Sequence, residues 1–142
     1  MKRAKNYIKL NLPSISINES LARNAVATFV AQLNPTLEEI ADIKCAVSEA
    51  VTNSIVHGYK FSEGIIYIGV KYFSDRRVVI DITDKGCGIE NVAQAMTPLF
   101  TTDTSGERSG MGFAVMQTFM DKLSVKSKLG KGVRIQMTKQ LK

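Results

Sequence analysis

The sequence D-K-G-C-G-I-E at residues 84–90 follows a strand-like run, V-V-I-D-I-T at 78–83, and places one carboxylate and two glycines where that strand ends. Aspartate and glycine are ordinary turn residues, so a D-x-G-x-G match alone indicates only a turn. Asp84, Gly86 and Gly88 therefore predict a functional site only in combination with other motifs of the chain.

Length and composition predict one globular domain over residues 1–142. The sequence is 44% hydrophobic and 23% charged, which is typical of soluble proteins. It contains neither a spanning apolar run of about 18 residues nor an apolar segment after the basic start, so we expect a cytoplasmic protein without membrane contact. Cys45 and Cys87 are far apart in the sequence and predict neither a disulfide framework nor a zinc site.

The net charge of +6 raises the question of a nucleic-acid partner. Basic residues are scattered, however, and the one biased segment, 123–142, contains six Lys or Arg and no acid. Without aromatic residues between the basic ones, this segment indicates a solvated basic face first and an acidic protein partner second. Direct nucleic-acid binding is not expected.

Hydrophobic periodicity and turn residues predict the secondary structure. Asn18 is the expected N-cap of the first helix, and Thr36 with Glu39 forms a capping box for the second, which we expect to stop at Gly58. A polar loop is expected at 101–109. The predicted strands are 7–12, 65–73, 78–83, 123–128 and 133–138, and the predicted helices are 18–33, 36–58, 91–96 and 110–121.

The order of these elements is strand, helix, helix, hairpin, helix, hairpin, which is neither a βαβ alternation nor an all-β pattern. It predicts an α+β fold, a two-layer sandwich with helices on one face of a mixed, mostly antiparallel sheet.

The second predicted helix carries S-E-A-V-T-N-S-I-V-H-G at 48–58, in which Glu49 and Asn53 are four residues apart. Their side chains therefore project from the same side, nearly opposite the apolar stripe. Cys45, Ala46 and Val56 share this side, which makes it unusually apolar, so we expect another element to cover it.

A carboxylate beside a carboxamide oxygen suits Mg²⁺ and also places a base beside the metal. His57 is interpreted as a capping or packing residue rather than a catalytic one.

The segment E-R-S-G-M-G-F-A-V at 107–115 places Gly110 and Gly112 at a helix start, where free N–H groups favour phosphate. A dinucleotide fingerprint is not supported, because a polar loop rather than a strand precedes these glycines. The G-K-G at 130–132 lacks the spacing of a P-loop.

Taken together and in this order, the three motifs resemble the N, G1 and G2 boxes of the GHKL (Bergerat-fold) ATP-binding superfamily. The resemblance implies that Asp84 accepts a hydrogen bond from the exocyclic amine of adenine. It also implies that Gly86 and Gly88 let the backbone approach the base, because glycine has no Cβ.

A closer resemblance extends from residue 18 to 121. The segments 18–44, 47–59, 98–102 (P-L-F-T-T) and 107–121 are similar to the anti-sigma F factors of spore-forming bacteria. That family implies a homodimeric serine kinase that sequesters a sporulation sigma factor. It also implies phosphorylation of an anti-anti-sigma factor on serine, with ATP and Mg²⁺ as cofactors.

By position, the resemblance implies that Glu49 is the catalytic base and Asn53 the Mg²⁺ ligand. Thr101, Thr102 and Arg108 would be lid residues that reach the phosphates, with Arg108 near the γ-phosphate.

Arg23 matches the arginine that this family uses for partner contact. One departure is Val133, where the family usually has threonine, so a hydroxyl contact to adenine is not expected there.

Related kinases of stress-response sigma factors stay an alternative for the partner. A histidine-kinase module is disfavoured because we see no segment for its helical hairpin, and a pure binding module is disfavoured because it does not need Glu49.

Overall fold

Alternation along the strands places the hydrophobic core on one face of a five-stranded sheet. The computed structural model describes residues 3–96 and 112–142. Among these, the strands lie in the order β1-β2-β3-β5-β4, and every neighbouring pair is antiparallel. The elements are β1 (Asn6–Pro13), α1 (Ile17–Val30), α2 (Leu37–Asn53), β2 (Ile65–Tyr72), β3 (Arg77–Asp84), α3 (Val92–Ala95), α4 (Phe113–Phe119), β4 (Lys122–Ser127) and β5 (Val133–Gln140).

The core lies between this sheet and the layer formed by α1, α2 and α4. On β3, Val78, Ile80 and Ile82 are buried, and Val47 and Val51 of α2 are fully buried with them. Each such side chain contributes about 1.5–3 kcal/mol when it is removed from water. Burial of this apolar layer stabilises the fold. The arrangement confirms the predicted α+β sandwich with helices on one face.

The predicted capping box at the start of α2 is confirmed. The hydroxyl of Thr36 accepts the N–H of Glu39 at 3.0 Å, and Glu39 Oε1 accepts the N–H of Thr36 at 2.9 Å. The other carboxylate oxygen of Glu39 accepts the N–H of Lys142 at 2.8 Å. One buried carboxylate therefore starts the helix and also fixes the segment after β5.

Asn18 is not the N-cap of α1, so that prediction was wrong. The helix begins one residue earlier, at Ile17, and no side chain caps its first N–H groups. The amide of Asn18 instead donates to the carbonyl of Pro13 at 3.0 Å. The end of β1 therefore uses this side chain as a donor, whereas a cap requires an acceptor.

The second helical segment ends at Gly58 as predicted, but its last turn is not regular α-helix. Regular α-helix stops at Asn53, and the chain continues as a π-helical turn from Ser54 to Gly58, in which the N–H of Tyr59 bonds the carbonyl of Ser54 at 2.8 Å. Such turns widen a helix by one residue and often occur at functional sites. Of the helix predicted at 110–121, the described part runs from Phe113 to Phe119.

No helix within the described ranges is long and apolar enough to cross a membrane.

Candidate functional site

Asp84 is the last residue of β3 and is buried, with 3% of its surface exposed. Its Oδ2 accepts the hydroxyl of Ser54 at 2.8 Å, and its Oδ1 accepts the N–H of Gly86 at 2.9 Å. Burial raises the pKa of the Asp84 carboxyl, while hydrogen bonds from Gly86, Ser54 and Val133 oppose that rise. The side chain is therefore a buried acceptor held in one orientation.

The two glycines after Asp84 make room for protein backbone. A Cβ on Gly86 would collide with the carbonyl of Gly58, and one on Gly88, which has φ +75°, would collide with the carbonyl of Lys128. The N–H of Cys87 donates to Gly58 at 2.9 Å. The turn is thus clamped between the end of the second helix and the β4–β5 hairpin, which fixes the position of Asp84.

Asn53 lies at the end of α2 with only 5% of its surface exposed. Its Oδ1 is buried and has no hydrogen-bond partner among the described residues. An unsatisfied buried acceptor is destabilising, typically by about 1–3 kcal/mol, so it needs an explanation. An amide oxygen kept free in this way fits a Mg²⁺ ligand, because that ion uses few protein ligands and keeps waters or phosphates for the rest.

Glu49 lies one helical turn before Asn53, and the start of α4 covers it. Gly112, at φ +72°, precedes α4, and a Cβ there would collide with Glu49 Oε2. Helix α4 packs against α2. This confirms the expectation that another element covers the Glu49 face, although Cys45 on the same face stays exposed.

Four predicted site residues, Thr101, Thr102, Arg108 and Gly110, lie outside the described residues. Their contacts with phosphates stay predictions. Within the described ranges no three His, Cys, Asp or Glu side chains gather into a group that could hold a metal.

Arg23 lies on α1. Its Nε bonds Glu19 Oε2 at 3.0 Å, and the hydroxyl of Ser48 donates to Glu19 Oε1 at 2.6 Å. Because Ser48 directly precedes Glu49 on α2, a chain of two hydrogen bonds joins Arg23 to the helix that carries the candidate base.

Val133 begins β5 directly opposite Asp84 in the register of the sheet. Its side chain is buried and offers no hydroxyl, while its N–H contributes to the hydrogen bonding of Asp84. The hydroxyl that bonds Asp84 comes instead from Ser54, in the turn after α2.

Sequence reasoning missed two residues of the site, Ser54 and Tyr59. Ser54 follows Asn53 within an apolar stripe, where periodicity gives no reason to single it out. The hydroxyl of Tyr59 accepts the N–H of Lys85 at 2.7 Å and donates to the carbonyl of Ile65 at 2.6 Å. Tyr59 thus ties the turn after β3 to the start of β2, a contact between segments that no local pattern indicates.

The basic segment 123–142 contains two cations with defined partners. Arg134 bonds Asp81 at 2.7 Å on the open face of the sheet, and Lys139 bonds Asp42 at 3.1 Å and the carbonyl of Phe119 at 2.7 Å. Lys139 therefore joins α2, α4 and β5. Part of the positive charge has a structural role, which weakens the case for this segment as one continuous binding surface.

Comparison with known sequences gives consistent matches. A family model for the histidine kinase-like ATPase domain matches residues 16–139. An anti-sigma F factor of Thermoanaerobacter pseudethanolicus is 57% identical over 136 residues, covering 96% of this chain and 94% of that protein. One from Clostridium novyi is 56% identical over 138 residues, covering 96% of both.

Solved structures share the fold at low sequence identity. The RsbU and RsbW domains of a Mycobacterium tuberculosis protein match with TM-score 0.71 and 19% identity, covering 96% of this chain and 33% of that one. A blue-light-activated histidine kinase domain from Erythrobacter litoralis matches with TM-score 0.58 and 16% identity, covering 87% and 61%. These likenesses concern the fold alone.

Burial of the Asp84 charge predicts a pH effect on stability without any ligand. Because the folded-state pKa is raised above the unfolded value of about 3.9, the folded protein takes up the proton first as pH falls. Wild type should therefore gain unfolding free energy relative to Asp84→Asn as pH falls from 7 toward 4. Urea unfolding of both proteins across this range measures the difference.

Asp81→Asn, on the same strand but on the open face, is the matched control for that comparison. A constant difference between wild type and Asp84→Asn over the whole pH range would contradict the buried-charge interpretation.

Proposed function

The chain belongs to the histidine kinase-like ATPase family and, within it, to the anti-sigma F factors, and on that basis we propose that it is an anti-sigma factor and an ATP-dependent serine kinase. In this proposal it binds and inhibits a sporulation sigma factor of the sigma F type in the cytoplasm. It phosphorylates the matching anti-anti-sigma factor on serine with Mg-ATP. The names of its relatives favour this partner over a stress-response sigma factor.

The observation that carries the proposal is the unsatisfied Oδ1 of Asn53, buried one helical turn after Glu49. A module that only binds nucleotide does not require a carboxylate one helical turn before the metal ligand. Phosphoryl transfer does require a base beside the metal-bound phosphates. Glu49 and Asn53 together therefore favour a kinase over a module that only holds nucleotide.

Each residue has a separate task in this proposal. Asp84 accepts a hydrogen bond from the exocyclic amine of adenine, and Asn53 supplies one oxygen ligand to Mg²⁺. When bound, the ion neutralises charge on the phosphates of ATP. Glu49 orients the serine hydroxyl of the substrate and takes its proton during transfer.

Residues of the segment 101–112 complete the proposed site, as the family resemblance implies. Thr101, Thr102 and Arg108 act as lid residues on the phosphates, with Arg108 offsetting charge at the γ-phosphate. Gly110 and Gly112 offer free backbone N–H groups to the phosphates at the start of the following helix. The close packing of Gly112 on Glu49 supports this arrangement, because it brings the end of the segment to the proposed base.

We assign protein partners to the surface around Arg23. Its side chain is 32% exposed, and the bond to Glu19 holds the planar guanidinium in place. A fixed arginine loses less conformational freedom when it binds a carboxylate, and arginine is enriched among the residues that dominate interfaces. No direct contact with nucleic acid is part of the proposal.

The proposed assembly is a homodimer, as the family resemblance implies. The face of the sheet opposite the helices is the surface we favour for the second copy. Tyr7 is 66% exposed on this face, and Gly69 leaves a groove of about 270 Å³ bounded by β1, β2 and β3. Light scattering at increasing protein concentration measures this assembly directly.

Glu49→Gln separates the kinase from a binding module. The substitution keeps the shape of the side chain and a carbonyl oxygen but removes the base, so phosphorylation should slow by about 10² to 10⁴ while ATP binding and sigma binding persist. Asn53→Ala should differ by losing Mg²⁺-dependent nucleotide binding as well. Single-turnover transfer from labelled ATP to the anti-anti-sigma protein measures both.

Glu38→Gln, an exposed change in the first turn of the same helix, is the control and should transfer phosphate at the wild-type rate. If Glu49→Gln stays within about threefold of wild type at saturating Mg-ATP, general-base catalysis by Glu49 is ruled out.

Arg23→Ala should weaken binding of the sigma factor or the anti-anti-sigma factor by about tenfold to a hundredfold, as is common for interface arginines. ATP affinity should stay unchanged, because Arg23 lies outside the nucleotide site. Calorimetry with each partner and with ATP measures the three affinities, and Arg3→Ala, an exposed arginine ahead of β1, serves as control. Normal binding of both partners by Arg23→Ala would remove Arg23 from the interface.

A further inference from the structure

Ser54 occupies an unusual position for a helical serine. It is the first residue of the π-helical turn, and 1% of its surface is exposed. A serine hydroxyl within a helix commonly bonds the carbonyl four residues earlier. Here the hydroxyl points across the core to Asp84 Oδ2 at 2.8 Å, a partner 30 residues away in the sequence.

This hydroxyl is the only side-chain donor that the described residues provide to the Asp84 carboxylate. The other donors, the N–H groups of Gly86 and Val133, belong to the backbone. A Cβ on Gly58 would lie 2.9 Å from Asp84 Oδ2, so the backbone there closes tightly around the oxygen. Among the contacts of this buried carboxylate, Ser54 is therefore the one whose chemistry depends on the side chain present.

We propose that Ser54 is a positioning residue that sets the base selectivity of the site, because its donated hydrogen bond keeps Asp84 an ionised acceptor. The inference rests on the proposed function, in which Asp84 faces the purine. An acceptor at this place suits the 6-amino group of adenine and opposes the 6-keto oxygen of hypoxanthine or guanine.

Loss of the hydroxyl changes what Asp84 can offer the ligand. Without Ser54, Oδ2 is buried with one donor fewer, and burial already opposes the charged form. A neutral carboxylic acid carries an O–H that can donate to a keto oxygen, which an ionised carboxylate cannot do. Ser54→Ala should therefore relax the preference for adenine as well as weaken adenine binding.

The test compares ADP with inosine diphosphate, two ligands that share the sugar and phosphates and differ in the group at position 6, amino or keto, and in the N1 proton that accompanies the keto form. Calorimetric titration with Mg²⁺ present gives both affinities for each variant. Wild type should prefer ADP, and Ser54→Ala should bind ADP about tenfold more weakly without a matching loss for inosine diphosphate. The ratio of the two affinities should fall by about tenfold.

Ser14→Ala is the matched control. Ser14 is also buried, at 4% exposure, and its hydroxyl donates to the carbonyl of Ser62 at 3.0 Å. This variant loses a buried hydroxyl bond of similar kind without touching Asp84, so the affinity ratio should stay within about twofold of wild type. Ser54→Cys, with a weak donor of similar size, should give an intermediate ratio and carries the test if Ser54→Ala does not fold.

Two results overturn the role of Ser54. A Ser54→Ala variant that binds both ligands more weakly by the same factor would show a merely structural effect, and one that binds both ligands as wild type does would show that Ser54 does not affect the site. If Ser54→Ala does not fold, the same two outcomes in Ser54→Cys overturn the role. Failure of the proposed function looks different, because wild type itself would then bind neither ligand or would show no preference for ADP.

Discussion

The buried carboxylate of Asp84 is the contact on which the rest of the site depends. It ends β3 and meets the π-helical turn after α2, and it is held from both sides by Ser54 and Gly86. Burying a charge is destabilising unless hydrogen bonds offset the loss of water, so these donors are a condition for the charge to exist there. A change in the position of the turn Ser54–Gly58 would therefore alter the hydrogen bonding of the Asp84 carboxylate.

The same helix connects the remaining parts of the site. Helix α2 carries Glu49 and Asn53, and its N-terminus is anchored by Thr36 and Glu39. Ser48 links it to Glu19 and, through that residue, to the guanidinium of Arg23. The proposed partner surface on α1 and the proposed base on α2 are thus joined by two short hydrogen bonds that meet at Glu19.

The sequence predicted what local rules control. The capping box at Thr36 needs only four consecutive residues, and the strands of the sheet follow their period-two alternation, so both were confirmed. Asn18 was assigned wrongly because α1 begins at Ile17 and the side chain of Asn18 donates to the carbonyl at the end of β1, a contact between segments that the local pattern does not indicate. The family resemblance implied glycines at 86 and 88 for approach to the base, which stays a prediction, whereas the structure shows that the carbonyls of Gly58 and Lys128, from distant segments, leave no room for a Cβ there. The role of Ser54 was not predicted, because its hydrogen-bond partner lies 30 residues away in the sequence.

We propose that Asp84 is the acceptor of a nucleotide site rather than a turn residue, and titration of wild type and Asp84→Asn with Mg-ATP separates these two roles. An amide in place of the carboxylate reverses one donor–acceptor pairing with adenine in a buried setting, which costs about 1–3 kcal/mol. Affinity should therefore fall about tenfold to a hundredfold while the fold survives. Equal affinity of a folded Asp84→Asn variant and wild type would mean that Asp84 is only a turn residue.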